Sequence, residues 1–419
     1  MRRVLLYSPD VIGHPRVYCR VIADALADTD CEVVVAMGFT ERAGLADSPD
    51  LHPLVGRPRL ELVETHHHSR SGRANLLAEE IGALQAATRA DVTLFIEADK
   101  SNDEFRRIAA GAAPRLRGRN LGIFANTAEW FPGEDSQTGA PKRLRAPTLR
   151  TTLGNVKRAV FDRKSTARYF YEKVVIGTGV LDEVLVKDER LAAWRGRPAF
   201  WMPEISRPAA SPETAEDEAE YRHTKDRLAA FLARNEGREP VLYFGDAAYY
   251  KGYDLFLQLL ATTPSLCGLH PGRPVDERER GWFRFDVDAL RAGLLGEGRL
   301  FETGRYVHAQ KMKELFFGAI RLYVTTHRLT LSSSTVIQAL ELGKPVLVPD
   351  RGLLGHRVRE NGLGGVYRYE DVDDLRRKAE ALWASDLCRF TEATRAFWTR
   401  FSDEAIREFL VERIVRNTE

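Results

Sequence analysis

The chain has 419 residues, and its 62 lysines and arginines nearly balance 60 aspartates and glutamates, which gives a net charge of +2. This balance excludes a protein that attracts nucleic acid through a large positive net charge. A composition of 44% hydrophobic and 29% charged residues excludes fibrous proteins and wholly disordered proteins. At about 100–200 residues per domain, the length predicts two or three domains.

The N-terminal half alternates predicted strands and helices. Short apolar runs predict the strands, and apolar residues at helical spacing predict the helices between them. Such an alternation predicts a parallel sheet that is covered by helices on both faces. The strands are predicted at Val4–Tyr7, Glu32–Met37, Asp91–Ile96, Leu121–Ala125 and Lys173–Ile176, and the helices at Arg16–Ala27 and Ala74–Arg89.

Residues 203–239 are typical of a connector that ends in a helix. The segment opens with three prolines and an acidic run, and it becomes basic toward its end. Acidic residues at the start of a helix and basic residues at its end suit the helix dipole. The acidic run is therefore interpreted as a solvated helix start.

A second alternation of strands and helices follows the connector and predicts a second Rossmann-like half. The final stretch, Phe397–Val415, is amphipathic, and its apolar stripe needs a surface that a neighbouring domain could supply. The strands are predicted at Pro240–Phe244, Leu300–Glu302, Arg321–Thr325 and Pro345–Val348, and the helices at Tyr253–Leu260, Met312–Phe317, Ser334–Leu342 and Val372–Ala384.

Hydroxyl side chains cluster at one predicted helix start in the second half. They follow the strand RLYVTT, at the edge of a Rossmann-like sheet where ligands bind. Backbone N–H groups at a helix start lack partners, and the dipole favours anions there, so the cluster predicts a phosphate site. Ordinary helix capping is the alternative, although one hydroxyl would suffice for it. The four residues are Ser332, Ser333, Ser334 and Thr335.

A glycine turn that carries a lysine follows another predicted strand of the same half. It reads GDAAYYKG, from Gly245 to Gly252. Gly245 permits a tight turn, and Lys251 could reach a ligand as a point charge. Together with the hydroxyl cluster, this turn predicts two clamps on a diphosphate.

These motifs resemble the donor domain of a GT-B glycosyltransferase, most closely the large retaining family 4. That family carries a glycine turn with Arg and Lys ahead of KG, then a Glu-x7-Glu segment, then EAMA-x-G-x-PV. The chain has FGDAAYYKG and VIQALELGKPVLVPDRG, and its opening HPRVYCRVIADALADTDCEVVVAMG resembles family members that begin with a PRV helix. The resemblance implies two Rossmann-like domains facing a central cleft and a C-terminal helix that crosses back to the N-terminal domain.

The resemblance also implies roles for individual donor-site residues. Lys251 matches the family's phosphate-binding lysine, whereas Asp246 stands where the family has an arginine. Thr330 takes the place of the glutamate that usually meets the sugar, and Gln338 that of the glutamate that usually holds the ribose. A glutamine oxygen can still accept a hydrogen bond from a ribose hydroxyl. Arg273 and Arg305 are further candidates at the border of the donor site.

Polar residues after the N-terminal strands are candidates for an acceptor site. His14 is also a candidate base, because a neutral imidazole suits that role near pH 7, and His14 and Lys251 are the two predicted catalytic residues. For each of these residues an ordinary surface loop is the alternative. The acceptor candidates are Gly13, His14, Arg16, Glu97, Asp99, Asn126 and Glu129.

A basic run, Lys142–Arg168, contains nine lysines and arginines against the single acidic residue Asp162, with apolar residues between them. It predicts either a solvated helix, or contact with an anionic membrane surface or a phosphorylated acceptor. The four cysteines lie apart and the triplet His66–His68 has no acidic partner, so we expect reduced thiols and no metal site. Asp286-Val287-Asp288 is interpreted as a helix start.

The sequence therefore predicts a cytoplasmic α/β glycosyltransferase with no cofactor, which uses a nucleotide-sugar co-substrate of the UDP or GDP type. Its acceptor would be a sugar, glycan, lipid-linked or small molecule, and nucleic acid is not an expected partner. We predict an acceptor domain at 1–202, a connector at 203–239, a donor domain at 240–388 and returning helices at 389–419. An inverting enzyme with His14 as base, or a GT-B protein that binds without turnover, remains the alternative.

Overall fold

The chain folds into two compact units. The computed structural model describes residues 1–8, 14–38, 51–65, 74–124, 177–192, 199–205, 215–305, 307, 310–328 and 332–416. One unit contains the described residues up to 205 together with 400–416, and the other contains the described residues from 215 to 399. The predicted strand Lys173–Ile176 lies outside the described residues.

The first unit is built on a seven-stranded sheet in the order β3-β2-β1-β4-β5-β6-β7, in which every described pairing is parallel. The predicted parallel α/β architecture is thus confirmed here. The strands are β1 Arg2–Ser8, β2 Cys31–Gly38, β3 Leu60–Thr65, β4 Val92–Phe95, β5 Arg119–Phe124, β6 Glu183–Val186 and β7 Ala199–Trp201, and the helices are α1 His14–Ala27, α2 Ala74–Thr88, α3 Asn102–Ala109 and α4 Glu189–Ala192.

The centre of this sheet is apolar on both faces. Residues Val4–Tyr7 of β1 have no exposed surface, as a strand between two parallel neighbours requires. Leu6 points into a core with α1, whereas Leu5 points into a second core with residues of α3. The continuous apolar run at 4–7 is therefore what a strand in the middle of the sheet requires.

The second unit holds two three-stranded parallel sheets, ordered β10-β9-β8 and β11-β12-β13, and β8 contacts β11. The second predicted Rossmann-like half is thus confirmed. The strands are β8 Glu239–Leu242, β9 Leu266–His270, β10 Leu300–Glu302, β11 Tyr323–Val324, β12 Val346–Pro349 and β13 Gly364–Tyr367. The helices are α5 Ala215–Arg234, α6 Tyr253–Thr262, α7 Glu277–Arg280, α8 Val287–Gly296, α9 Gln310–Gly318, α10 Ser334–Glu341, α11 Gly352–Asn361, α12 Val372–Trp383 and α13 Thr391–Thr399.

Helix α8 shows how local sequence fixes one of these boundaries. The Asp286 carboxylate accepts a hydrogen bond from the Ala289 N–H group at 2.9 Å, so it caps the first turn. This confirms the interpretation of the Asp-Val-Asp segment as a helix start.

The amphipathic C-terminal stretch is interrupted, because the chain leaves helical geometry between α13 and α14 (Asp403–Val411). Ser402 caps α14 through a hydrogen bond from the Ala405 N–H group at 3.1 Å. Beyond this break, Ile406, Leu410 and Ile414 are buried in the first unit's core beside α1. The expected return of the C-terminal helix to the N-terminal unit is confirmed.

Candidate functional site

The glycine turn after β8 approaches neighbouring backbone very closely. Gly245 has a φ of +108°, and a Cβ on Gly272 would lie 2.0 Å from the Gly245 carbonyl oxygen. Gly252 has a φ of +68°, and a Cβ there would lie 2.0 Å from the Thr326 carbonyl oxygen. The Thr326 hydroxyl also donates to the Lys251 carbonyl at 3.0 Å, so the turn is seated against the end of β11.

Lys251 is partly buried at this turn, and burial lowers the pKa of its ammonium group. Three charged side chains act on it: Asp246 and Glu279 favour the ammonium form, and Arg273 opposes it. Burial and the charge of Lys251 together lower the pKa of neighbouring His327 to about 3, so this imidazole is neutral at physiological pH. His327 therefore adds no positive charge beside Lys251.

Asp246 and Arg273 pair with each other beside the same turn. The guanidinium donates to the carboxylate through Nε at 3.0 Å and through Nη2 at 2.6 Å, and the Arg273 backbone N–H donates at 3.2 Å. Burial would raise the pKa of Asp246, but the contacts with Arg273 outweigh it and the pKa is lowered. An arginine thus stands at this turn, contributed by the loop after β9 instead of by position 246.

A buried charge network lies beneath the turn. The His270 ring faces the Gly245 carbonyl oxygen through Nε2 and the Glu302 carboxylate through Nδ1, each at 3.1 Å. Glu302 also accepts from Arg291 through both carboxylate oxygens and from the Tyr253 hydroxyl at 3.2 Å. His270 has no exposed surface and supports the turn through these two contacts.

This network predicts acid sensitivity. Burial would raise the pKa of Glu302, but hydrogen bonds from His270 and Arg291 lower it to about 2. Its stabilising contribution is therefore complete above its ordinary pKa near 4.5 and is lost as pH falls toward 2. Between pH 5 and pH 2.5 we expect a loss of roughly 2 kcal/mol in the free energy of unfolding, allowing for solvent screening.

Urea unfolding at several pH values, with wild type and Glu302→Gln side by side, measures this contribution. The two curves should be furthest apart above pH 5 and should converge as the wild-type carboxylate becomes protonated. A constant gap across the whole range would contradict the assignment.

The hydroxyl cluster opens α10, but it does not cap the helix in the ordinary way. Ser333 occupies the N-cap position, and its side chain makes no capping hydrogen bond with a backbone N–H group of the helix. Its hydroxyl instead lies 2.9 Å from the Thr335 hydroxyl, which accepts from the Tyr323 hydroxyl at 2.9 Å. The geometry thus argues against side-chain capping through Ser333, whose carbonyl oxygen accepts from the Val336 N–H group at 3.1 Å.

Arg357 of α11 is a residue of this site that the motif analysis missed. Its side chain is 3% exposed, and Nη1 donates to the Ser332 hydroxyl at 2.8 Å. The sequence did carry a signal, because Arg357 stands at i+3 and i+4 from the buried Leu354 and Leu353, within an apolar helix face. A charge in such a stripe requires partners, and the Ser332 hydroxyl is one of them.

The two other described donor-site candidates, Gln338 and Arg305, lie in different parts of the second unit. Gln338 lies one turn into α10 and is 7% exposed, on the same side of the helix as Ser334. Arg305 is exposed and pairs with Glu220 of α5 at 2.6 Å, which connects it to the long helix that begins this unit. Thr330 lies outside the described residues.

The described acceptor candidates border the carboxyl ends of strands in the first unit. Arg16 lies partly buried in the first turn of α1, which follows β1. Glu97 lies two residues after the end of β4 and has a φ of +52°, a conformation that costs a non-glycine residue about 1 kcal/mol or more. His14 begins α1 and Asp99 lies in a 3₁₀ turn after β4. Gly13, Asn126 and Glu129 lie outside the described residues.

Several other sequence features fall outside the described part of the chain, namely the basic run Lys142–Arg168 and the histidine triplet at 66–68. Within the described ranges, no group of three or more His, Cys, Asp and Glu side chains could hold a metal ion. Among the helices that the structure describes, none combines the length and apolar character needed to cross a bilayer.

Solved structures similar to this chain include glycosyltransferases. A sucrose-phosphate synthase from Thermosynechococcus elongatus matches with a TM-score of 0.65 and 16% identity over 99% of both chains. Alr3699/HepE from Anabaena, in complex with UDP and glucose, matches with a TM-score of 0.61 and 14% identity over 99% of this chain and 100% of that chain. A glycosyltransferase from Rickettsia africae matches with a TM-score of 0.62 and 12% identity over 100% of this chain and 99% of that chain.

At these identities the likeness shows the fold alone, which is the GT-B fold of glycosyltransferases. No protein-family model matches the sequence, and neither does any curated protein. The two units with parallel sheets agree with that fold, while the chemistry depends on the residues at the strand ends.

Proposed function

We propose that this protein is a glycosyltransferase that binds a nucleoside diphosphate sugar at the start of α10, with Lys251 beside the diphosphate. The observation that carries the proposal is the helix start itself. The Ser333 side chain does not cap the first turn, and the buried guanidinium of Arg357 donates to the Ser332 hydroxyl. Helix N-H groups, hydroxyls and a guanidinium form a donor set that suits phosphate oxygens.

The same groups would serve the reaction as well as binding. Cleavage of the bond between the sugar and the diphosphate leaves negative charge on the departing phosphate oxygen. Fixed donors directed at that charge stabilise the transition state, so Lys251 and the α10 start would lower the barrier to transfer. With retention of configuration, which the family 4 resemblance implies, a donor phosphate oxygen takes the acceptor proton. The protein then mainly positions the two substrates.

A thermal-shift panel of UDP, GDP, ADP and TDP tests the proposal. UDP is the first nucleotide to try, because the similar HepE structures contain UDP and UDP-glucose. A nucleotide at 100 times its Kd should raise the stability of the protein by about 2.7 kcal/mol. We expect the shift to survive EDTA, since the proposed donor set needs no metal ion. No shift with any of the four nucleotides would overturn the proposal.

Gln338 is proposed to meet the ribose. It follows the start of α10 by one turn, and its oxygen can accept a hydrogen bond from a ribose hydroxyl. Gln338→Glu should preserve or improve nucleotide affinity, since a carboxylate accepts more strongly, whereas Gln338→Leu should weaken it by about 1 kcal/mol. Calorimetry with UDP measures both. Wild-type affinity in both variants would make Gln338 a purely structural residue.

A protein that binds nucleotide without turnover is the second candidate. The Asp246–Arg273 pair favours it, because a carboxylate stands at the turn and takes up part of the arginine's charge. Hydrolysis or transfer of a UDP-sugar by purified protein separates the two functions. An inverting enzyme that uses His14 as base would be recognised by the anomeric configuration of the product.

The acceptor and any membrane contact are further proposals. Glu97 and Arg16, at strand ends of the first unit, are proposed to meet acceptor hydroxyls. The basic run Lys142–Arg168 is proposed to contact anionic lipid, and its binding to anionic vesicles should fall as salt rises.

A further inference from the structure

Arg328, in the segment after β11, is a fully engaged buried arginine. Its guanidinium is 6% exposed and makes a bidentate ion pair with Asp254, through Nη1 at 2.7 Å and Nη2 at 2.8 Å. Its Nε donates to Glu370 at 2.5 Å. Burying the charges of Arg328 and Asp254 is costly unless they are paired, and both are paired here.

Arg328 also contacts the glycine turn, Gly245–Gly252, at three further points. Its Nη1 donates to the Tyr249 carbonyl at 2.7 Å, and its guanidinium carbon lies 4.0 Å from the centroid of the Tyr249 ring. Its backbone N–H donates to the Tyr250 carbonyl at 2.9 Å. The two residues that precede Lys251 are therefore both fixed by Arg328.

The anchors of Arg328 lie on separate parts of the unit. Asp254 belongs to the first turn of α6, which follows the glycine turn. Glu370 follows β13 and has a φ of +58°, and the neighbouring Tyr369 hydroxyl donates to the Arg328 carbonyl at 3.3 Å. Arg328 thus joins the segments after β8, β11 and β13 at the edge where the proposed donor site lies.

We propose that Arg328 is a positioning residue for nucleoside diphosphate binding, which holds the Tyr249–Lys251 turn so that the Lys251 ammonium meets the diphosphate. The inference rests on the proposed function and deepens it. Arg328 does not itself reach the ligand, because its guanidinium is buried and occupied by protein groups. Its effect on affinity should therefore pass entirely through Lys251.

A double-mutant cycle tests this route. Arg328→Lys keeps the charge but cannot reproduce the bidentate pair, so UDP affinity should fall about tenfold because Lys251 loses its fixed place. Lys251→Ala should weaken binding by at least as much. If Arg328 acts through Lys251, the double variant should bind UDP no more weakly than Lys251→Ala alone, within about twofold.

Arg299→Lys is the matched control. Arg299 is equally buried in the same unit, at 6% exposed, but it donates to the carbonyls of Leu260, Thr263 and Leu266 near the amino end of β9. It should lower the melting temperature while leaving UDP affinity within twofold of wild type. If Arg328→Lys does not fold, Glu370→Gln removes one anchor more gently and enters the same cycle.

The outcomes are distinguishable. Wild type that binds no nucleoside diphosphate overturns both the proposed function and this inference. Wild type that binds UDP, with an unchanged affinity in Arg328→Lys or with additive losses in the double variant, overturns the inference alone. Hydrogen exchange gives a readout without ligand: the amides of Lys251 and Gly252 should exchange faster in Arg328→Lys and not in Arg299→Lys.

Discussion

Lys251→Ala is expected to weaken UDP binding by about 1.5–3 kcal/mol, or roughly 10- to 150-fold, which is the range for a hydrogen bond to a charged group. The ammonium group is partly buried at a rigid turn, so little conformational freedom is lost when it meets an anion. Isothermal calorimetry with wild type and variant measures the difference.

Lys344→Ala is the matched control for this experiment. Burial lowers the pKa of Lys344 as it does that of Lys251, but Lys344 follows the opposite end of α10. Its replacement should leave the UDP affinity unchanged. Equal affinities of Lys251→Ala and wild type would remove Lys251 from the site, and equal losses in both variants would point to a general effect of buried charge.

Gly252→Ala is expected to destabilise the protein strongly, by about 2–5 kcal/mol, and to abolish UDP binding at concentrations that saturate wild type. The alanine would have to keep the left-handed backbone conformation of Gly252, and its methyl carbon would lie 2.0 Å from the Thr326 carbonyl oxygen. Either the backbone at Gly252 or the backbone at Thr326 must then move. The first displaces Lys251, and the second displaces the segment that leads to Arg328. Thermal unfolding and calorimetry measure the two effects.

Gly298→Ala separates the backbone strain from the clash. Gly298 has nearly the same φ, +67°, but a Cβ there would meet nothing within 4 Å. It should therefore show only the strain, about 1 kcal/mol, with unchanged UDP affinity. If Gly252→Ala behaves like Gly298→Ala, the close contact between the turn and Thr326 does not matter for the site.

Two strands that the sequence analysis missed show where local sequence is a weak signal, although β6, an interior and mostly buried strand, was missed as well. β3 and β7 lie at the two edges of the seven-stranded sheet, and their residues are mostly half-buried or exposed. An edge strand needs fewer apolar residues than a central one, so its pattern stands out less. β13 begins with two glycines, and a Cβ on Gly364 would lie 2.0 Å from the Val346 carbonyl oxygen, a close approach that only tertiary structure reveals.

Sequence by itself determined the elements whose stability is local. The apolar run of β1, the helix cap at Asp286 and the helical spacing along α6 and α12 each predicted an element within a few residues of its observed place. The glycine turn and the hydroxyl cluster could also be found from sequence, because each follows a recognisable strand. Short-range hydrogen bonds and side-chain periodicity decide these features, and both are written in consecutive residues.

Only the tertiary structure decided which residues far apart in the sequence form ion pairs or hydrogen bonds with a charged side chain. Arg273 pairs with Asp246, Arg328 joins Asp254 to Glu370, and Arg357 reaches Ser332, in each case from a different strand end or helix. A buried or half-buried ion pair depends on distance and on exclusion of water, and neither follows from spacing along the chain. The site's electrostatics are therefore a property of the fold, whereas its backbone elements are a property of the sequence.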